Sequence, residues 1–426
     1  MAKCVTVAIA GLGSRGKEAY AKCAHLFPDR MKIVAVADID PEKVENAAKE
    51  YHIPPEGCFE SAEKLLEKDR LADVLFVCTL DRQHYPHAIP ALKKGYHLLL
   101  EKPISPELKE CREIAETAKQ YDRKVVVCHV LRYTPFYQKV KEIVDSGVLG
   151  RVMHVEAVEN VGYWHQAHSF VRGNWRNDRE SPMILQKSCH DMDLLLWLTG
   201  KRCARVSSFG SLGWFRPENA PEGSAERCLD CGVRESCPYN AEDIYLTGKR
   251  GALSGYAGWP LDVLAQNPTP EKIRTALAEG PYGRCVYRCD NNVVDHQVVN
   301  LCYEDGATAS FTMCAFNSGL SRTIGIMGAL GDLYGDMTTE TIEYGPFGSP
   351  RKKIDLRLEV EDFTGHGGGD NRLVEDLLDL LSGGKGVSLT DISQSVESHY
   401  VALAAEKSRL AGGEAVDIAE FSKEEN

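Results

Sequence analysis

Two adjacent charged residues end an apolar run near the first quarter of the chain. The stretch GYHLLLEKPIS, residues 95–105, passes from three leucines into Glu101 and Lys102, and a proline follows them. In a doubly wound sheet, ligands bind beyond the carboxyl ends of the strands, so both charges are predicted at the ligand edge. Thr79 and His84 follow the neighbouring apolar run and are predicted at the same edge. The alternative is a surface ion pair that contributes little.

A glycine pattern precedes this run and indicates which ligand the edge serves. The segment VAIAGLGSRG places Gly11, Gly13 and Gly16 between a predicted strand and a predicted helix. In that context the three glycines allow a tight turn, close approach of a pyrophosphate, and packing of helix on strand. The second strand ends at Asp38, where an acid that binds the ribose hydroxyls belongs. The pattern therefore predicts dinucleotide binding rather than a glycine-rich packing turn.

The choice between NAD and NADP depends on two side chains. The carboxylate of Asp38 accepts hydrogen bonds from both ribose hydroxyls and repels a 2′-phosphate, which favours NAD. Arg15 is able to reach a phosphate, so NADP stays open at this point. Lys102 is predicted to donate to the nicotinamide ribose and to the reacting oxygen, and Arg132 and Tyr133 to lie near the nicotinamide. The predicted cofactor contacts are Gly11, Gly13, Ser14, Arg15, Gly16, Asp38, Thr79, His84, Glu101, Lys102 and Arg132.

The elements that must position these residues alternate in type. Near-continuous apolar runs separated by helical stretches predict a parallel sheet covered on both faces over residues 1–130, the NAD-binding domain. Residues 131–426 read as a second domain, rich in strands. Asp305 and Gly306 indicate a hairpin turn within it. Residues 217–290, dense in cysteine, glycine and proline, read as an insertion.

The bulk composition excludes several classes of protein. The chain has 426 residues, a formal net charge of -12 and 15 cysteines. The negative charge argues against a general nucleic-acid or anionic-membrane surface. No run reaches the roughly 18 apolar residues of a membrane helix. The first apolar run alternates into the glycine loop and so reads as a strand rather than a signal peptide. A reducing cytoplasm is therefore expected.

The chain resembles the glucose–fructose oxidoreductase/inositol dehydrogenase (Gfo/Idh/MocA) family. The resemblance rests on GLGSRG, Asp38, CTLDRQHYPHAIPALKKGYHLLLEKPIS, RYTPFYQKVKEIVDSGVLGRV and KSCHDMDLLLWLTG, and it covers the chain apart from the insertion. It implies an N-terminal Rossmann domain and a C-terminal α/β domain with a large open mixed or antiparallel sheet. It further implies a carbohydrate or polyol substrate between the domains and a homo-oligomer, a dimer or tetramer.

The second catalytic group comes from this resemblance, with one departure. Members of the family usually carry D-x-x-x-H on a helix of the second domain. In ILQKSCHDMD the histidine corresponds to His190, whereas Gln186 stands at the aspartate position and Lys187 follows it. A glutamine binds a hydroxyl but cannot accept its proton. Either His190 is the base, or Lys187 takes part in place of the acid. The bland alternative for His190 is a helix-end histidine bonded to Asp191 or Asp193.

The segment GYWHQAHSFVRGNWRN is expected to contact the sugar. Aromatic rings there can stack on a sugar face and cationic side chains can donate to hydroxyls, although core packing or a subunit contact explains aromatics equally well. The predicted substrate contacts are Tyr163, Trp164, His165, Arg176, Gln186 and Lys187, with Arg172 and Trp175 as further candidates. The glycine cluster GHGGGD, residues 365–370, reads as a connector, with placement of His366 near the substrate as the alternative.

The insertion carries the spacing of a thiolate metal site. Cys228, Cys231 and Cys237 form C-x2-C-x5-C, and Cys285 and Cys289 follow downstream. Four thiolates in this arrangement suit a closed structural zinc, with Cys285 slightly favoured over Cys289 as the fourth ligand. Free thiols or an iron–sulfur cluster are the alternatives.

Three functions fit these residues. The first is an NAD-dependent dehydrogenase of sugars, glycosides or cyclitols that uses Lys102 and His190. The second is a glycosidase that retains NAD and works by transient C3 oxidation, elimination and hydration. The third is a regulator that senses NAD, against which an intact Lys102 and His190 argue.

Overall fold

Two β-sheets organise the chain. The computed structural model describes residues 4–360, 362–384 and 386–424. The strands are β1 Val5–Ala10, β2 Met31–Ala37, β3 Cys58–Phe59, β4 Val74–Val77, β5 His97–Leu100, β6 Val125–Val127, β7 Val152–Asn160, β8 Cys203–Ser211, β9 His296–Tyr303, β10 Thr308–Cys314, β11 Ser321–Gly328, β12 Gly331–Asp336, β13 Thr341–Pro346, β14 Lys352–Asp355 and β15 Val416–Asp417.

Helices connect and cover these strands, and most begin or end where local chemistry indicates. Asp40 caps the helix that opens with Pro41, and Gly200 ends another in the left-handed conformation. The helices are Ser14–Ala21, Cys23–Leu26, Pro41–Tyr51, Ala62–Glu67, His84–Lys93, Leu108–Gln120, Pro135–Asp145, Tyr163–His165, Gln166–Arg172, Met183–Gln186, Cys189–Thr199, Asp243–Thr247, Leu261–Leu264, Pro270–Glu279, Thr364–Leu381, Ile392–Leu410 and Ile418–Phe421.

The first sheet is a six-stranded parallel sheet in the order β3-β2-β1-β4-β5-β6. Alternate residues of β1 enter two different cores: Val7 and Ile9 pack on one face, Ala8 and Ala10 on the other. A sheet buried on both faces explains why these strands read as continuous apolar runs. The strand order reverses beside β1, which is where dinucleotides bind in such sheets. The predicted Rossmann fold is confirmed.

The second sheet is mixed and large, with the order β14-β13-β12-β11-β7-β10-β9-β8-β15. The pair β7 and β10 is parallel, and the other pairs are antiparallel. The turn between β9 and β10 contains Asp305 and Gly306, and Gly306 has a φ of 85°. The hairpin prediction and the α/β fold class are thereby confirmed.

The last two long helices return to the first sheet. Leu373, Val374 and Leu377 of helix Thr364–Leu381 join the core on one face of that sheet. Ile392 and Val396 of helix Ile392–Leu410 join the core on the other face. The first sheet is therefore covered partly by residues more than 200 positions away along the chain, a contact that residues 1–130 alone do not supply.

The insertion, residues 217–290, contributes no strand to either sheet. It has one small core of its own, around Tyr245, Leu261 and Ile273, and it shares a second, which joins Tyr287 to Phe215 and Val171 outside the insertion. Among the described residues, no helix is both long enough and apolar enough to cross a membrane.

Candidate active site

The glycine loop has the space and the backbone shape that a pyrophosphate needs. Gly11 has a φ of 92°, and a Cβ on Gly16 would lie 1.9 Å from the Gly11 carbonyl oxygen, so both positions require glycine. A Cβ on Gly13 would meet nothing within 4 Å, which leaves open room beside the loop. Ser14 begins the helix that follows. The loop therefore fits a dinucleotide phosphate at a helix N-terminus.

Asp38 lies at the end of β2 and binds the glycine loop. Its two carboxylate oxygens accept hydrogen bonds from the Leu12 amide at 2.6 Å and the Asp40 amide at 2.9 Å. The side chain is only half-buried. An oriented, accessible carboxylate at this strand end fits the two hydroxyls of an NAD ribose.

Arg15 turns toward the opposite side of β1. Its guanidinium donates to Glu101 at 2.7 Å and to Asp370 at 2.8 Å. Although burial opposes the effect, the Arg15 charge lowers the pKa of Asp370 well below its usual range. Glu101 follows β5, whereas Asp38 follows β2 on the other flank of β1. Arg15 is therefore directed away from the ribose carboxylate, where a 2′-phosphate would sit, and this geometry favours NAD.

Lys102 joins the two domains. Its ammonium donates to the Gln186 carbonyl oxygen at 2.6 Å, and its amide donates to the Glu101 carboxylate at 3.0 Å. Gln186 lies on the short helix of the second domain that precedes His190. Lys102 therefore contacts the backbone at position 186, and Gln186 itself is almost fully buried.

Two buried histidines hold the segment that carries Lys102. The ring nitrogens of His84 lie 2.7 Å from the Pro103 carbonyl and 3.0 Å from the Thr79 carbonyl. Both nitrogens are used within the protein, so His84 can act on a cofactor only through these backbone groups. The Ile104 amide donates to Nε2 of His399, whose Nδ1 lies 3.0 Å from the Ser395 carbonyl oxygen. His399 belongs to the last long helix, and sequence reasoning missed it.

His190 is buried at the start of helix Cys189–Thr199, four residues after Gln186, whose carbonyl binds Lys102. Its Nδ1 has no hydrogen-bond partner, and its ring centroid lies 5.8 Å from that of His129 and 6.4 Å from that of His366. Burial, and next the charge of Lys102, lowers the pKa of His190 well below 6.5. The ring is therefore neutral near pH 7 and able to accept a proton. Lys102 thus contacts the segment that carries His190 through the Gln186 carbonyl.

His366 belongs to this site as well. Gly365, Gly367 and Gly368 have positive φ angles and turn the chain so that the His366 ring approaches His190. Its Nδ1 lies 3.2 Å from both Arg15 Nη1 and Asp370 Oδ2. The segment is therefore more than a connector, because it links the glycine loop to the second domain.

Lys187 is held by an ion network that sequence reasoning missed. Its ammonium lies 3.1 Å from Glu159, and Arg322 lies 2.6 Å from Glu159 and 2.9 Å from Asp191. Burial lowers the pKa of Lys187, against the pull of Glu159. Burial also raises the pKa of Asp191. A signal existed in the strand pattern, because Glu159 has the same parity on β7 as the buried Val155.

The predicted sugar contacts divide into two groups. Tyr163, Trp164 and His165 follow β7 directly, and the ring centroids of Trp164 and His165 lie 5.3 and 4.9 Å from that of Trp259 in the insertion. Burial, and then the charge of Lys187, lowers the pKa of His165 well below its usual value. Arg176, by contrast, donates to Asp290 at 3.0 Å and so faces the insertion.

Arg132 has a different partner from the one that its position suggested. Its guanidinium makes a buried two-bond pair with Asp193, at 2.7 and 2.6 Å, and donates to the Leu389 carbonyl at 2.9 Å. Nη1 also donates to Gln394 at 3.4 Å, so four of the five N–H groups are engaged within the protein. Arg132 therefore ties the segment after β6 to helix Cys189–Thr199.

The four predicted metal ligands share one cavity. Cys228, Cys231, Cys237 and Cys285 all line a cavity of about 20 Å³, and Cys289 is not part of its wall. In residues 4–360, 362–384 and 386–424, however, no three His, Cys, Asp or Glu side chains come close enough together to hold a metal ion. The cysteines are thus gathered in one place without a formed ligand set.

A parallel dinucleotide fold and a glycine loop with an acid at the end of the second strand are those of an NAD-binding oxidoreductase. Two family models match the chain: the oxidoreductase family with NAD-binding Rossmann fold over residues 5–129, and the GFO/IDH/MocA C-terminal domain over residues 137–232. The chain belongs to the Gfo/Idh/MocA family of oxidoreductases.

Individual relatives are distant. The putative oxidoreductase YteT of Bacillus subtilis is 24% identical over 393 residues, which cover 87% of this chain and 88% of YteT. Inositol 2-dehydrogenase 4 of Saccharopolyspora erythraea is 29% identical over 210 residues, 47% of this chain and 56% of that protein. An Agrobacterium radiobacter oxidoreductase, solved with NAD+, L-tartaric acid and magnesium, superposes with a TM-score of 0.69 at 16% identity, covering 98% of this chain and 100% of that one.

Proposed function

We propose that the protein oxidises a hydroxyl-bearing carbon of a sugar, glycoside or cyclitol, with NAD as the hydride acceptor. The observation that carries this proposal is that Lys102, at the end of β5, donates to the Gln186 carbonyl, four residues before the buried His190, whose Nδ1 has no hydrogen-bond partner. The match to an inositol dehydrogenase supports a polyhydroxylated ring as substrate. When bound, NAD supplies the acceptor for the hydride that leaves the carbinol carbon.

Lys102 polarises the reacting oxygen. Its ammonium is anchored by the Gln186 carbonyl, which leaves two of its three N–H groups for ligand oxygens. A fixed positive charge at a partly buried position stabilises the developing alkoxide more strongly than the same charge in solution. The Glu101 carboxylate forms an ion pair with Arg15. Its negative charge is therefore shared with Arg15 and does not fully offset the charge of Lys102.

His190 accepts the hydroxyl proton. Its imidazole is neutral because burial and the nearby cation disfavour the charged form. With Gln186 in place of the family's aspartate, no carboxylate at that position competes for the proton. Lys187 contributes as a substrate contact whose ammonium is oriented by Glu159.

A panel of sugars, cyclitols and glycosides, followed for NADH absorbance and for released product together, tests this function. We expect NADH to accumulate with at least one compound. Release of free sugar without net NADH would instead support the NAD-retaining glycosidase mechanism. Replacement Lys102→Ala or His190→Ala is expected to lower kcat by roughly 100-fold or more. Lys49→Ala, at an exposed helix position, is the control and should keep full activity.

We also propose that the insertion binds one structural zinc through Cys228, Cys231, Cys237 and Cys285. Their C-x2-C-x5-C spacing and common cavity support this assignment. Metal analysis of the purified protein should find about one zinc per chain. Iron in its place, or no metal, would overturn the proposal. A cytoplasmic location and a homo-oligomer stay predictions.

A further inference from the structure

His366 is an exposed histidine that the fold places beside the buried His190. The centroids of the two rings lie 6.4 Å apart. The backbone at His366 has a φ of 47°, a left-handed conformation that costs energy for a residue other than glycine. Gly365, Gly367 and Gly368 on either side also have positive φ angles. Strain of this kind is typical of turns that hold a side chain in place for function.

The surroundings of the His366 ring suit a group that takes up and releases protons. Its Nδ1 lies 3.2 Å from Nη1 of Arg15, a donor, and 3.2 Å from Oδ2 of Asp370, an acceptor. With a proton on Nδ1 the ring donates to Asp370, and with the proton on Nε2 it accepts from Arg15. Both neutral tautomers and the imidazolium therefore have a partner at Nδ1. Within the described residues the hydrogen bonds of the ring use Nδ1, which leaves Nε2 for another group.

His190 needs such a neighbour in the proposed reaction. Once it has accepted the hydroxyl proton, it must lose that proton before the next turnover, and it is only 6% exposed. Burial holds the pKa of His190 well below 6.5, so its imidazolium gives up a proton readily. The His129 ring is also near, at 5.8 Å, but His129 is fully buried. The side chain of His366, by contrast, is 44% exposed and so reaches solvent.

We propose that His366 relays the proton from His190 to solvent, a role that rests on the function proposed above. The ring separation exceeds that of a direct hydrogen bond, so a water molecule or a substrate hydroxyl must bridge the two rings. The substrate O–H bond breaks as its proton moves to His190, and the relay concerns this proton and not the hydride. The proton then passes to Nε2 of His366 and from the exposed ring to water or buffer, which restores neutral His190. Asp370, held by Arg15 at 2.8 Å, stabilises the imidazolium formed in between.

The test measures kcat in dilute buffer, with the panel compound that wild type oxidises fastest. His366→Gly removes the ring, leaves room for free imidazole, and keeps a backbone conformation that glycine adopts without strain. We expect kcat to fall at least about 5-fold, with KM and NAD affinity unchanged. Imidazole added at constant pH should restore kcat to within about twofold of wild type, because the free base then carries the proton.

His52→Gly is the matched control, because His52 is an exposed histidine with a φ of 55° that follows helix Pro41–Tyr51. It should keep the wild-type kcat with and without imidazole. A wild-type kcat for His366→Gly in dilute buffer would overturn the relay. A loss of kcat that imidazole does not restore would also overturn it, because that result indicates a role in packing.

Two further arms keep the outcome clear. If His366→Gly does not fold, His366→Asn decides by the same two measurements, because asparagine also adopts the left-handed conformation and cannot carry the proton. If wild type oxidises no compound of the panel, the proposed function itself fails. If wild type is active and the His366 variants match it in dilute buffer, only the relay fails.

Discussion

At the scale of single residues, the site depends on how burial sets the protonation of neighbouring groups. His190 is almost fully buried, and the positive charges of Lys102 and Arg322 also act on it. Each disfavours the imidazolium. A histidine that would titrate near neutrality in water is therefore held in the form that accepts a proton.

The first prediction concerns the pH dependence of the reaction. Because the pKa of His190 lies well below 6.5, the base stays active as the pH falls through 6.5. Activity is lost only when the pH reaches the lowered pKa. We expect the acid limb of the kcat/KM profile below pH 6.5 in wild type and its disappearance or displacement in His190→Ala. His25→Asn, an exposed histidine, should leave the limb in place. An acid limb at or above pH 6.5 would contradict the assignment.

The sequence predicted which residues lie at the ends of strands, but it did not predict which distant residues their side chains contact. Glu101, Lys102 and Asp38 could be placed from the sequence because each follows a recognisable strand. The partners of Lys102, Arg132 and Arg15 lie 84, 61 and 355 residues away along the chain. A single amino-acid sequence does not indicate which distant residues pair in this way. Arg132 shows the consequence, since its position beside a strand suggested the cofactor and its contacts are with Asp193.

At the scale of elements, the glycines of the loop meet two different requirements: one is needed for the fold and another leaves room for a ligand. Gly16 is needed for the fold, because a Cβ there would collide with the backbone of Gly11. Gly13 has a φ of -73°, which any residue adopts, and empty space beside it. Glycine at position 13 is therefore explained by a ligand and not by packing.

The second prediction follows from this difference. Gly16→Ala is expected to destabilise the protein by about 1–3 kcal/mol, since the new methyl group overlaps the Gly11 carbonyl. Gly13→Ala should unfold like wild type in the absence of cofactor, yet bind NAD more weakly because its methyl group enters the pyrophosphate space. Thermal unfolding without NAD and an NAD titration measure the two effects. Wild-type NAD affinity in Gly13→Ala would argue against this site for the pyrophosphate.

Local signals placed most of the elements and none of their long-range packing. The Asp305–Gly306 turn, the helix end at Gly200 and the start of the last long helix at Asp391 were readable from sequence. The return of the helices Thr364–Leu381 and Ile392–Leu410 to the first sheet was not, because an amphipathic face indicates burial without naming its partner.

At the scale of the whole molecule, buried histidines lie where the two domains and the last long helix meet. The His129 ring lies 5.8 Å from that of His190 and 5.7 Å from that of His399, and His129 is fully buried with neither ring nitrogen hydrogen-bonded. Burial lowers the pKa of His129 to about 4 and that of His399 to about 3. In the folded protein, therefore, the His129 and His399 rings are neutral near pH 7.

The last prediction links that junction to stability. The unfolded chain binds protons on His129 below pH 6.5 while the folded chain resists them down to about 4, so this residue makes the protein less stable as the pH falls across that window. Asp191 and Glu340, whose pKa values burial raises, act in the opposite direction, so only a comparison of variants isolates the histidine. We expect His129→Phe to lose less stability than wild type between about pH 7.5 and about pH 5.5 in urea unfolding. His25→Asn should follow wild type, because His25 is exposed. Parallel losses in His129→Phe and wild type would show that His129 is not held neutral by burial.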